Sequence, residues 1–313
     1  MTKKSIRVLC PIYNEYKNII YFIEAIKKAF KELKNYQCDI LFVDDGSTDG
    51  SLELIKNICL SNKDIRLISL SRNFGKEVAL SAGIDYSIES DAVITIDADL
   101  QHPTELIPAL VREWEDGYEI IETIRETNTD HTLIRSLGSK LYYFLMRQFT
   151  NLDFKSNTTD FRLYDQKVVL AFTKIKEKKR IFRGLMDWLG YSKTQLTFNA
   201  NNRLSGNVNY SYKKLLDLAV NSFTSFSLLP LRLISYLGVI LTFFSFFVSL
   251  WMIIDKLNDN SHNFSPIAIL AMGNTFLIGV VLIGLGLVAH YVGYTHTEVI
   301  NRPLYLIKDE INL

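Results

Sequence analysis

The residues best equipped to do chemistry are Asp97, Asp99 and Gln101, within the stretch AVITIDADLQHP at 92–103. A short β-branched, apolar run ends abruptly in Asp-Ala-Asp, with an amide two positions later. That pattern fits a buried parallel strand delivering two carboxylates and an amide to the carboxyl edge of a sheet. Hard oxygen donors placed there suit a divalent cation, and such a cation is useful mainly for gripping a diphosphate. An Asp-x-Asp also arises by accident in chains of this size, so its neighbours must decide.

Those neighbours fall into a repeating order. Segments 6–12, 39–43, 65–70, 92–96 and 118–124 read as strands, and 16–33, 51–60, 76–90 and 104–115 as helices between them. Strands alternating with helices of this length imply a mostly parallel α/β sheet with right-handed crossovers. Polar clusters then follow successive strands. Pro11-Ile12-Tyr13-Asn14-Glu15 comes after the first, and Asp44-Asp45-Gly46-Ser47-Thr48-Asp49-Gly50 after the second. Ser71-Arg72-Asn73-Phe74-Gly75-Lys76 comes after the third, and the Asp97 trio after the fourth. Each alone has ordinary turn composition. Four in register at one sheet edge point to a ligand site, because open α/β sheets bind ligands outside the carboxyl ends of their strands. Beyond them, 135–150 has an amphipathic helical pattern, 160–164 reads as a strand, and a helix is expected from about 165. The run KIKEKKRIFR at 174–183 holds six Lys or Arg in ten residues. It reads either as a solvated loop or as a surface that meets anionic lipid.

Composition narrows the classes. With 313 residues and a net charge of +1, nothing argues for nucleic acid as a partner. Cys10, Cys38 and Cys59 match no zinc spacing or disulfide framework and fit small core residues in a reducing compartment. The amino terminus, MTKKSIRVLC, has no apolar run of signal-peptide length, so this end is expected not to be exported. The last third is different. Segment 231–254 holds Arg232 as its single charge, and 266–293 holds no Asp, Glu, Lys or Arg. Each exceeds the roughly 20 residues a spanning helix needs. Two transmembrane helices are therefore expected, joined by an external linker at 255–265 and approached by an amphipathic helix within 211–230. Lys213, Lys214, Arg232, Arg302 and Lys308 flank the spans, so the positive-inside rule puts 1–210 and the tail 294–313 in the cytoplasm. The chain is therefore expected to be an integral membrane protein, with the lipid bilayer as a partner.

The ordered motifs PIYNE, VDDGSTDGS, SRNFGKEVALSAG and DADLQHP, with DFRLYD at 160–165, RLSG at 203–206 and NRPLY at 301–305, resemble the family 2 inverting glycosyltransferases of GT-A fold. More narrowly they resemble the polyprenyl-phosphate glycosyltransferases, the group of dolichol-phosphate mannose synthase and bacterial bactoprenol glucosyltransferases. The resemblance covers nearly the whole chain, and the two helices resemble the bacterial members particularly, which implies the bacterial cytoplasmic membrane. It implies a Rossmann-like GT-A domain at 1–210 followed by the two helices. It also implies transfer of a hexosyl group from a nucleotide-sugar, UDP-glucose favoured, to undecaprenyl phosphate, inverting an α-linked donor to a β-linked product. By the same resemblance Pro11, Tyr13, Glu15 and Asp44 contact the nucleoside, and Asp45 lies at ribose or diphosphate, with Arg72 on the donor side. Asp97, Asp99 and Gln101 organise Mg²⁺ or Mn²⁺, Asp99 being the direct ligand, and His102 beside them is assigned a local structural role.

An acceptor monophosphate needs cations, and guanidinium forks match phosphate geometry. Arg125, Arg135, Arg162 and Arg203 are the candidates, with an ordinary salt bridge the competing reading, strongest for Arg135. Asp160 stands where the family carries an acidic residue near the acceptor. A phosphate monoester has a second pKa near 6 and is already largely a dianion at neutral pH, so Asp160 either orients it or receives a residual proton. Two departures bear on the acceptor. Val208-Asn209 stand where the family usually shows Ser-Lys, and Ala289-His290 where it shows Gly-Glu. Other readings are a GT-A enzyme with a different acceptor and a non-catalytic scaffold. Self-association is left open.

Overall fold

The computed structural model describes residues 3–126, 158–177, 180–199 and 301–313, with scattered positions between 267 and 300. The chain forms two units, 1–209 with 303–313, and 210–302.

In the first unit, strands β1 (Ser5–Ile12), β2 (Gln37–Asp44), β3 (Ile65–Leu70) and β4 (Ala92–Thr95) are joined by helices α1 (Ile19–Phe30), α2 (Ser51–Ser61) and α3 (Lys76–Asp85). Their near-continuous apolar runs are buried, as expected of parallel strands covered on both faces. Helix α1 buries Ile19, Phe22, Ile23, Ile26 and Ala29, spaced to form one face. Helix α3 buries every residue from Ala79 to Ile84. It lies so close to β1 that a Cβ on Gly83 would sit 2.1 Å from Leu9 Cδ1. A short 3₁₀ turn leads into α4 (Ile107–Glu115), then come β5 (Ile120–Glu126), β6 (Thr158–Asp165), α5 (Gln166–Phe172), α6 (Phe182–Trp188), β7 (Lys193–Asn199) and β8 (Ile307–Ile311).

The eight strands make one sheet in the order β7-β5-β6-β4-β1-β2-β3-β8. The first four strands run parallel to one another, and β7 runs parallel to β5. Strands β6 and β8 run antiparallel to their neighbours, so the sheet is mixed, with the parallel pairings in the majority. The chain moves outward from β1 to β2 and β3, then returns to place β4 on the other side of β1. That reversal makes the crevice outside the ends of β1 and β4 the switch point where ligands bind in such sheets.

The carboxyl-terminal residues 303–313 belong to this unit, with β8 completing the sheet beside β3. Tyr305 donates its hydroxyl to Asp85 at 2.8 Å, and Ser71 N–H donates to the Leu306 carbonyl at 2.8 Å.

The expectation of two transmembrane helices is corrected. Among the described residues no helix is long and apolar enough to cross a membrane, against both the two spans and the integral-membrane location expected from the sequence. Apolar composition meets a length criterion, whereas spanning requires an unbroken helix of about 20 residues. The described positions within 266–293, such as Leu270, Leu277 and Val281, are helical. Segments 211–230, 231–254 and 255–265 lie outside the described residues.

Candidate active site

The loop after β1 is fastened to the loop after β2. Asn14 adopts φ +58°, a left-handed conformation that Asn tolerates. Its side-chain carbonyl accepts from Thr48 N–H at 2.8 Å, and its own N–H donates to Ser47 Oγ at 3.0 Å. Glu15 N–H donates to Ser51 Oγ, and Tyr16 N–H to Asp49, at 3.0 and 3.1 Å. Tyr13 is left about half exposed at the mouth of the crevice, with Pro11 and Glu15 partly buried beside it.

Asp44 and Asp45 differ in place and task. Asp44 is fully buried, its carboxylate accepting from Ser47 N–H and Ser69 Oγ, both at 3.3 Å. It shapes the turn from within. Asp45 accepts from Phe74 N–H at 2.7 Å and Gly75 N–H at 2.8 Å, binding the loop after β3. Burial raises its carboxyl above the ordinary value, against the two amide bonds that favour ionisation. Between the loops lies Gly46 at φ +72°, where a Cβ would meet the Arg72 and Asn73 backbone at 2.7 Å. Arg72 is exposed, its guanidinium 4.1 Å from the Phe74 ring centre.

The densest charge cluster lies where β4 faces β6. Thr95 pairs with Arg162 across the two antiparallel strands, so the same register carried two residues further puts Asp97 opposite Asp160. Two carboxylates opposite one another would repel, and a lysine lies between them. Lys76, the first residue of α3, is 2.6 Å from Asp97 Oδ1 and 2.6 Å from Asp160 Oδ2. Arg183 at the start of α6 adds Nε 2.9 Å from Asp160 Oδ1, and His102 Nε2 lies 3.7 Å from Asp97. Burial pushes both carboxyls upward, but Lys76 outweighs it, helped by His102 at Asp97 and by Arg183 at Asp160. Both are held below the usual carboxylate range. His102 packs against the Phe161 and Phe198 rings.

Asp99 and Gln101 stand beside this cluster, Gln101 N–H donating to Asp99 Oδ1 at 3.1 Å, with Leu100 at φ +58° in the turn. Among the described residues no three His, Cys, Asp or Glu converge as a protein cage for a metal. The donor set still fits a hard cation, since Mg²⁺ is commonly held by one or two carboxylates plus substrate phosphates.

The arginines separate. Arg125 is exposed on β5. Arg162 is 1% exposed, with Nη1 3.0 Å from Glu122 and 3.2 Å from Asp187, so its guanidinium is paired inside the protein. Arg135 and Arg203 lie outside the described residues. Two residues of the cluster had been given no role by sequence reasoning. Lys76 closes the SRNFGK motif, whose turn composition gives no sign of its partners. Arg183 sits in the basic run 174–183, whose composition suggested solvent or lipid rather than a carboxylate. The signal available for Arg183 was its spacing of four from Asp187, which puts both on one helix face.

Known proteins are similar to this chain over most of its length. The family described as Glycosyl transferase family 2 matches residues 7–171, from β1 through the end of α5. An uncharacterized glycosyltransferase of Synechocystis sp. is 38% identical over 96% of this chain and 94% of its own length. The bactoprenol glucosyl transferase of Shigella phage SfII is 34% identical over 97% of each chain. A mannosyltransferase from Pyrobaculum calidifontis, solved with GDP-Man and Mn²⁺, is 12% identical, covers 91% of this chain and 88% of its own, and has a TM-score of 0.45. With a family match over more than half its length and full-length relatives above 30% identity, this chain belongs to glycosyl transferase family 2.

Proposed function

We propose that this glycosyltransferase moves a hexosyl group from a nucleotide-sugar, UDP-glucose favoured, to undecaprenyl phosphate, inverting the anomeric centre to give a β-linked polyprenyl-phosphate sugar. The acceptor class is supported by full-length relatives named bactoprenol glucosyl transferase. The observation that carries the chemistry is the facing of Asp97 and Asp160 across β4 and β6, which supports reading Asp97 as the donor-side and Asp160 as the acceptor-side carboxylate.

In this reading Tyr13, Pro11 and Glu15 line the nucleoside end, and Asp44 and Asp45 hold the loops that form it. Arg72 lies on the diphosphate side. Asp97 and Asp99, with Gln101, would hold Mg²⁺ or Mn²⁺, which offsets charge on the departing nucleoside diphosphate when bound. The acceptor phosphate oxygen forms its bond to the anomeric carbon as the bond to the donor diphosphate breaks, and the diphosphate leaves with the electron pair. Arg125, Arg135 and Arg203 are the acceptor-phosphate candidates. Asp160 orients the acceptor rather than taking a proton. It is held ionised by Lys76 and Arg183, and a phosphate monoester at neutral pH needs little deprotonation.

The test is transfer of label from UDP-glucose, with GDP-mannose in parallel, to undecaprenyl phosphate in detergent with Mg²⁺ or Mn²⁺. Label in the organic phase, lost by at least about 100-fold in Asp99→Ala, is the expected result. Nucleotide binding with no organic-phase label from any donor would overturn the acceptor assignment.

A further inference from the structure

Lys76 is poorly explained by a purely structural role. Its ammonium touches Asp97 through both carboxylate oxygens, at 2.6 and 2.9 Å, and Asp160 at 2.6 Å. Yet the side chain remains 40% exposed at the crevice, whereas Asp160 is only 15% exposed. The two carboxylates are not equally dependent on it. Asp160 has Arg183 at 2.9 Å as a second close cation, while the other basic side chain near Asp97, His102, stands off at 3.7 Å. Lys76 also begins a helix whose body is buried against β1, and the neighbouring Glu77 accepts from Phe182 N–H at 2.6 Å. Its backbone is thus anchored while its long side chain can shift between two carboxylates.

We propose that Lys76 is a resident counter-ion for Asp97 that the divalent cation must displace, and that the displaced ammonium stays on Asp160 as a positioning residue. This rests on the reading of Asp97 and Asp99 as the donor-metal carboxylates. A monovalent and a divalent cation cannot share Asp97 without strong repulsion at such separations. Lys76 therefore weakens metal binding in the empty enzyme while keeping the two opposed carboxylates together. Once metal and nucleotide arrive, the ammonium is confined to Asp160 on the acceptor side, so donor loading and acceptor-side charge become one event.

The test reads metal binding as well as turnover. Mn²⁺ affinity of the full-length protein is measured by the electron paramagnetic resonance signal of free Mn²⁺, with and without UDP, alongside kcat and KM. Lys76→Met should bind Mn²⁺ on the order of tenfold more tightly and yet turn over more slowly. Lys76→Arg should stay near the wild-type affinity. Asp160→Asn leaves Lys76 with Asp97 as its one carboxylate partner in this cluster. It should weaken Mn²⁺ binding several-fold although Asp160 is no ligand, and it keeps the test sharp if Lys76→Met fails to fold. Equal or weaker Mn²⁺ binding by folded Lys76→Met, or no weakening in Asp160→Asn, overturns the role of Lys76. If wild type binds Mn²⁺ and Asp99→Ala does not, the metal reading survives that failure. If wild type binds no Mn²⁺ even with UDP, the metal reading and this inference fall together.

Discussion

At the scale of single residues, the side of the crevice proposed for the donor is built by groups that lie far apart in sequence. Asp45 fixes the loop after β3 through two backbone amides, and Gly46 lets that loop's backbone lie directly on it. Gly46→Ala adds a methyl 2.7 Å from Arg72 and Asn73 backbone atoms, at a φ of +72° that alanine adopts only with strain. The obstacle is main chain rather than the end of a flexible side chain, so the loop must move and Arg72 with it. The expected outcome is a KM for the nucleotide-sugar raised by about tenfold, with kcat changed less. An unchanged KM would show that the loop does not touch the donor. The sequence reveals Asp45 and Gly46 as members of a polar cluster, because turn chemistry is local. It does not reveal what Asp45 grips, since Phe74 and Gly75 lie about thirty positions away. For the same reason Arg162 reads as a phosphate ligand in DFRLY. Only tertiary structure brings Glu122 and Asp187 to its guanidinium.

Among elements, β6 and α6 explain why charge lies in the interior at all. Asp160, Arg162 and Tyr164 alternate with Phe161 and Leu163 along β6, so one face carries a polar stripe and the other joins the main core. Helix α6 covers the polar stripe with a matching set. Arg183 meets Asp160, Asp187 meets Arg162, and Phe182 packs edge-on against Tyr164 at 6.0 Å. The edge strand β8 is held as firmly from the other end of the chain. Asn312 donates its side-chain amide to the carbonyls of Cys59, Asn62 and Ile65 at 2.9, 3.2 and 2.9 Å. Those carbonyls close α2 and open β3. Asn312→Ala should therefore cost about 1–3 kcal/mol by leaving them without this donor. A thermal melt checks it, and a Tm within about 1 °C of wild type would show that water replaces the amide. The first four strands were legible because their apolar runs alternate with helix-length segments. Strand β8 was not, since IKDEI is short and half polar, and its partner β3 lies more than two hundred residues earlier.

For the molecule as a whole, ionisation couples to folding with opposite signs at two places along β6. Asp97 and Asp160 have folded-state pKa values below their ordinary 3.8. Their contribution is present above that value and is lost as pH falls through the depressed folded values. Asp187 behaves in reverse. Burial raises it to about 6 despite the Arg162 guanidinium, and Glu122, which stays ionised beside the same arginine, pushes it further up. Folding therefore favours protonated Asp187, and its contribution declines as pH rises from about 4 to about 6. Asp187→Asn imitates the protonated carboxyl at every pH and isolates this effect from the active-site carboxylates. Relative to wild type, the Asn variant should gain Tm between pH 4 and pH 6, by on the order of a few degrees, and then hold level to pH 8. A Tm difference that stays constant across that range would mean Asp187 is ionised throughout. Arg162 would then be balanced by two full negative charges rather than by one carboxylate and one carboxylic acid.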